Sequence, residues 1–253
     1  MNSFIARDLR DHILTITLTR AAKRNALTSA MYDDLSRALE EAEIDPEVRV
    51  ILLQADGDNF TAGNDISDFI EHSTAPGSSE PAAFRFVRNL GAASKPIVAA
   101  VQGNAVGVGA TLLLHCDLVY LADNARLVAP FVNLALVPEA ASSWLMPLRI
   151  GHVRAYAMFA LGEPIDASTA LQAGLANAVV PAAKVRSRAA SAASALARQS
   201  VGALAATKLL MRERSAIAAH IEEERTFFLE RLKSPEALAA FEAFTARASK
   251  ATS

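Results

Sequence analysis

Residues 14–19 read LTITLT, with apolar and hydroxyl side chains in strict alternation, which predicts a half-buried strand. In the following NALT, Thr28 can cap a helix whose apolar row is Met31, Leu35, Leu39 and Ala42. Pro46 closes that region. Residues 48–55, VRVILLQA, predict a buried strand that DGDN stops. HSTAPGSSEP, at 72–81, is dense in small and turn-forming residues and predicts a mobile loop. A helix follows over 81–93. KPIVAAV predicts a third strand, ending at Gly103. Gly107 and Gly109 then lead into an apolar helix, ATLLLHC, and residues 117–122 predict a fourth strand. From about Glu139 onward the pattern is helical, with Gly151, Gly162 and Gly174 as stops.

Strand, helix, strand, glycine turn, helix and strand in this order argue for an α/β core with helices on its sheets. No strand pattern remains after Val180, and 182–232 reads as alanine-rich helices. SPEALAAFEAFTARA ends the chain, with Pro235 in the first turn of its helix. Such a tail either packs against another subunit or folds back on its own core, and pattern alone favours neither. RERSAIAAHIEEER, at 212–225, reads as a solvated helical face.

Length and composition narrow this picture. The chain has 253 residues, 52% hydrophobic and 21% charged, with a formal net charge of −2. That is an ordinary globular composition, and it asks for no nucleic acid or anionic membrane. No apolar run reaches the roughly 18 residues of a membrane span. The start, MNSFIARDLRDHILT, has no apolar core of a secretory signal, so a cytoplasmic location is the expectation. The single cysteine, Cys116, excludes an intrachain disulfide and a cysteine-rich metal site.

Three stretches can carry chemistry. FTAGNDISDF, at 60–69, follows a strand and its turn. Gly63 permits a positive φ, and Asp65 can cap a helix that starts near Ile66, where unpaired N–H groups would offer an anion or oxyanion site. A plain strand-to-helix turn is the alternative. VQGNAVGVGATLLLHCD, at 101–117, repeats the theme. GVGATL carries the first two glycines of a dinucleotide fingerprint, but its third position is Leu112, so the match is weak. The third stretch, LVPEAASSWLMP at 136–147, holds one acid, and Glu139 is the only ionisable side chain between Asn133 and Arg149. Pro138 and Glu139 can be the first residues of a helix, where an acid favours the macrodipole by about 0.3–1 kcal/mol. Alternatively, burial among Val137, Ala140, Ala141, Trp144 and Leu145 would raise the carboxyl pKa toward that of a general base. His115 reads as a satisfied core or interface histidine. Ser142 and Ser143 lack a nucleophile elbow, and no histidine spacing supports a metal.

Together, NAL at 25–27, FTAGNDI, KPIVAAVQGNAVGVGATLLLHCD and GLANAVV resemble, in order and spacing, the enoyl-CoA hydratase/isomerase (crotonase) superfamily from about Leu14 to the C-terminus. The resemblance implies a spiral of ββα units as an acyl-CoA-binding core, 1–195. It implies a helical C-terminal region, 196–253, that builds a homotrimer or a dimer of trimers. It places the two N–H groups that hold the thioester oxygen on Asn64 and Val108. Coenzyme A, part of the substrate rather than a cofactor, would lie against Ala22, Lys23, Ala62, Asp65 and Ile66. The family's hydratases use two glutamates, but Thr111 and Phe131 stand at those positions. VPEAASSWLMP instead resembles the Δ3,Δ2-enoyl-CoA isomerase branch, where one acid, here Glu139, serves both proton steps. Phe69, Phe131 and Trp144 would form an apolar wall. A hydratase or another CoA-thioester reaction using Glu139 is the alternative, and a non-catalytic acyl-CoA-binding or RNA-binding relative is the alternative of another class.

Overall fold

The computed structural model describes residues 4–68 and 81–250 of the chain. Phe69 and the loop expected at 72–81, Pro81 apart, lie outside the described residues. Among these residues a six-stranded sheet has the order β1-β2-β3-β4-β6-β9, and a smaller sheet has the order β5-β7-β8. The strands are β1 (Ile5–Arg10), β2 (Ile13–Leu18), β3 (Val50–Ala55), β4 (Ile97–Val101), β5 (Asn104–Val106), β6 (Leu118–Ala122), β7 (Arg126–Val128), β8 (Ile165–Asp166) and β9 (Ala178–Val180). β1 runs antiparallel to β2, and the other neighbours in the large sheet are parallel.

Helices fill the intervals: α1 (Ser29–Ile44), α2 (Ala82–Ala92), α3 (Val108–Thr111), α4 (Ser142–Ile150), α5 (His152–Tyr156), α6 (Ala167–Gln172), α7 (Val185–Ala197), α8 (Val201–Met211), α9 (Arg214–Leu232) and α10 (Pro235–Lys250). This is the α/β core that the order of elements in the sequence predicts, closed by a helical C-terminal region.

The central strands of the large sheet are buried on both faces and so read as nearly continuous apolar runs. In β3, Ile51 and Leu53 enter the main core while Val50 and Leu52 face the opposite cluster. β4 alternates in the same way, with Ile97, Ala99 and Val101 against Val98 and Ala100. α7 covers the second face with Val185, Ala189, Ala192, Ala193 and Ala197, whose short side chains let its backbone lie close to the strands. On the main face, α1 begins where the Thr28 side chain accepts the Met31 N–H. It buries Met31, Leu35, Leu39 and Ala42, the row expected from spacing. Each large apolar side chain so buried contributes about 1.5–3 kcal/mol.

Two expectations change, and one open alternative is decided. The chain beyond Glu139 is not purely helical, because β8 pairs with β7 and β9 with β6. These strands are too short to display a period of two, and their partners are distant in sequence. The C-terminal helices fold back: Ile217, Ile221, Phe228 and Leu232 of α9, with Ala237 and Phe241 of α10, join the main core. The stretch 212–225 is therefore solvated on one side only, with Ile217, Ile221 and Glu224 buried. No helix among the described residues is long and apolar enough to cross a membrane.

Candidate active site

Glu139 does not begin a helix. Ala140 and Ala141 adopt φ of 65° and 54°, left-handed values at which a right-handed helix cannot run, and α4 starts only at Ser142. This overturns the reading of Pro138 and Glu139 as first helical residues. The chain turns sharply after Glu139, whose carbonyl accepts the Ser142 N–H at 3.1 Å. The side chain is thereby turned inward and is 7% exposed. Its Oε1 accepts the Thr111 hydroxyl at 2.5 Å. Burial pushes the carboxyl up to about 8, the Thr111 hydrogen bond opposes this, and the charge of Glu224 adds to it.

His115 braces the same turn. Arg212 only donates, so the His115 Nδ1 that it meets at 2.9 Å is an acceptor. Nε2 therefore carries the proton and donates to the Ala140 carbonyl at 2.8 Å. Burial, and then the Arg212 charge, push the ring down to about 3, which keeps it neutral. It is the satisfied core histidine that the sequence favoured.

Two backbone donors arise from strand-like pairing. Leu27 N–H donates to Gly63 O, and Asp65 N–H donates to Leu27 O, both at 2.8 Å. That parallel bridge turns the Asn64 N–H to the other side. Thr61 bridges Ala105 in the same way and lays β5 beside residues 61–64. Gly107 then turns with φ of 56°, a value open to glycine, and Val108 begins α3 with an N–H that no helix of its own can satisfy. At Gly109 a Cβ would lie 2.3 Å from Thr61 Cγ2, so only glycine lets α3 sit this close to the 61–64 segment. Among the described residues neither the Asn64 N–H nor the Val108 N–H has an acceptor.

Side chains join these parts. Thr111, on α3 with Val108, holds Glu139. Tyr32, from α1, donates its hydroxyl to the Asn64 side-chain oxygen. Burial, then the charges of Glu139 and Asp68, hold that hydroxyl well above its ordinary pKa, so it stays a donor. Tyr32 thus links Asn64 to the surroundings of Glu139, and Thr111 links α3 to its carboxyl. A buried carboxyl of high pKa can move a proton, and an unsatisfied backbone N–H can hold an oxygen on which charge builds.

The family model described as enoyl-CoA hydratase/isomerase matches residues 8–246. The chain belongs to the enoyl-CoA hydratase/isomerase family. It is an acyl-CoA enzyme of the crotonase superfamily. Among its relatives, 2,3-dehydroadipyl-CoA hydratase of Escherichia coli (strain K12) is 34% identical over 87% of this chain and 86% of that one. Enoyl-CoA delta isomerase 2 of Rattus norvegicus is 34% identical over 94% of this chain, which spans 62% of that protein's length. The crystal structure of an enoyl-CoA hydratase/isomerase from Pseudoalteromonas atlantica T6c superimposes with a TM-score of 0.92, at 36% identity, covering 97% of this chain and 98% of that one.

In this family member, Ala22 and Lys23 lie on an exposed 3-10 turn, Ala21–Lys23. The Ala62 N–H donates to Arg24 O at 2.9 Å and ties that turn to the 62–66 segment. Ala62, Asp65 and Ile66 are half-buried there, and the Asp65 carboxylate is held by Arg20 at 2.7 Å. Phe131 is buried against Phe159, ring centroids 6.0 Å apart, while Trp144 stacks on His220 of α9 at 5.0 Å. No group of three or more His, Cys, Asp or Glu among the described residues could hold a metal ion.

Sequence reasoning missed Thr111 as the donor to Glu139, and it missed Tyr32 and Glu224. Tyr32 lies directly beside the row residue Met31. Glu224 follows Ile221 by three residues and precedes Phe228 by four, so helical spacing alone puts it on the buried row of α9.

Proposed function

We propose that this chain is a Δ3,Δ2-enoyl-CoA isomerase with Glu139 as its base. The observation that carries this reading is the buried carboxyl of Glu139, pushed up to about 8 and held by Thr111. The ionised carboxylate takes a proton from C2 of a 3-enoyl-CoA. The C2–H electrons move into a dienolate, and charge develops on the thioester oxygen. The Asn64 and Val108 N–H groups receive that oxygen, and losing one such donor typically costs about 2.7–4 kcal/mol. Glu139, now protonated, returns the proton to C4, and the double bond ends conjugated at C2–C3. Atoms and charge balance without a metal or redox cofactor. Ala22, Lys23, Ala62, Asp65 and Ile66 would line the coenzyme A end, and Phe131 and Trp144 would keep water from the acyl end.

A hydratase needs a second carboxyl to deliver water, and the positions that the family's hydratases use hold Thr111 and Phe131. A hydroxyl already given to Glu139 and a phenyl ring do not fill that role. The Escherichia coli relative named a hydratase keeps water addition as the second reading. Incubation with 3-enoyl-CoA and 2-enoyl-CoA separates the two. Conjugation of the first without hydration of the second supports the isomerase, and fast hydration of the second overturns it. The same reading includes assembly as a homotrimer or a pair of trimers, supported by exposed apolar side chains at the end of α8.

A further inference from the structure

Two consecutive left-handed alanines cost on the order of 1–2 kcal/mol each, so the turn after Glu139 persists only where its surroundings fix it. The His115 contact at Ala140 holds one side. The other side is held from α9. Glu224 Oε1 accepts both the Ser143 N–H at 2.8 Å and the Ser143 hydroxyl at 2.5 Å. The same face of α9 crosses the whole stretch around Glu139. His220 stacks on Trp144, and Arg231 donates to the Ala135 carbonyl at 3.2 Å. Glu139 is therefore clamped before and after by one helix.

Glu224 is 6% exposed, and its second oxygen, Oε2, is buried with no hydrogen-bond partner among the described residues. No cation pairs with it in a salt bridge among these residues, and its charge is favoured by the Ser143 donors at the start of α4, then by the Ala141 N–H and His220. Half of that carboxylate is left unsatisfied beside the turn that carries Glu139.

We propose that Glu224 is a positioning residue for Glu139: its side chain, through Ser143, fixes the first turn of α4 and so sets where the Glu139 carboxyl points, while it places a second buried carboxyl beside that turn. This rests on the reading of Glu139 as the base. The titratable and charged groups around the pair are Tyr32 on α1, Asp68, the neutral His115 with Arg212 behind it, and His220 on α9. Burial raises the Glu224 carboxyl as well, the hydrogen bonds from Ser143 and from the Ala141 N–H oppose this, and its charge acts to raise Glu139.

The test compares Glu224→Gln, Glu224→Ala and Glu139→Gln with the parent. For each, kcat, KM and the pH profile of kcat/KM are measured on 3-enoyl-CoA, well below the melting temperature. Glutamine keeps an oxygen for Ser143 and removes the charge, so the acid limb of kcat/KM is expected to move to lower pH by about half a unit or more, with KM nearly unchanged. Alanine releases the turn as well, and kcat is expected to fall by about tenfold or more. A Glu224→Gln profile that coincides with the parent's, beside an inactive Glu139→Gln, overturns this inference alone, even if Glu224→Ala fails to fold. Parent-like turnover in Glu139→Gln overturns the base assignment and this inference together.

Discussion

Replacing the Glu139 carboxyl by an amide separates two effects that the buried group combines. The folded protein holds this carboxyl near 8 instead of its ordinary 4.5, chiefly through burial. Below pH 4.5 both folded and unfolded chains carry the proton, and the group costs nothing. As the pH rises toward 8 the unfolded chain releases that proton and the folded one does not, so stability falls, by on the order of 5 kcal/mol across the window. Glu139→Gln keeps an acceptor for Thr111 and never ionises. It is expected to lose most isomerase turnover while gaining stability over the parent, by an amount that grows between pH 5 and 8 and is level above. Melting curves at pH 5, 7 and 9 check this, and an equal difference at all three would remove the argument. Thr111→Val makes the complementary point. It is close in shape but deletes the donor that lowers the Glu139 pKa, so the acid limb of kcat/KM is expected to move to higher pH. A profile moving downward in this variant would mean that the hydroxyl serves Glu139 in some other way.

The glycine turn into α3 sets the spacing of the two backbone donors, and it can be disturbed at one atom. A Cβ at Gly109 would meet Thr61 Cγ2 at 2.3 Å, so Gly109→Ala has to push α3 away from the 61–64 segment. Moving Val108 relative to Asn64 weakens the grip on the oxyanion, and kcat is expected to fall by about 10²-fold, near the effect of losing one donor. A kcat within threefold of the parent, with a lowered melting temperature, would place the oxyanion donors elsewhere. How legible such elements were depends on what fixes them. β2, β3, β4 and β6 were readable because burial on one or both faces is written as alternation or as an apolar run. β1 was not, since only Ile5 of its six residues is buried, and β5, β7, β8 and β9 are held by partners rather than by their own pattern. The glycines that shape the two backbone donors stood out in the sequence. The turn after Glu139 did not, because alanine carries no signal for a left-handed φ; neighbouring His115 and Glu224 hold it there.

Beyond the folded core, the chain leaves a particular apolar surface uncovered. Leu209, Leu210 and Met211 end α8 at 57%, 88% and 80% exposure, and Val153 on α5 is exposed to 81%. Single exposed apolar residues are common, but three in succession at a helix end make a patch of the sort that marks contact with another chain. The expected outcome in sedimentation is a trimer or hexamer, and a protein that stays monomeric at tens of micromolar (roughly the range where weak oligomers form) would end this proposal. Leu210→Glu combined with Met211→Glu should give a smaller species that remains folded, because these side chains are mostly solvent-exposed within the protomer. Its activity should fall as well, although neither residue belongs to the candidate site. Arg212 follows Met211 directly, donates to His115, and through it steadies the Ala140 carbonyl next to Glu139. Loosening the end of α8 by loss of its neighbour would be transmitted along that path. Dissociated protein with unchanged kcat would show that the His115 brace stands without the assembly, whereas a parallel loss of kcat and oligomer, reversed on raising the protein concentration, would tie the base to the subunit contact.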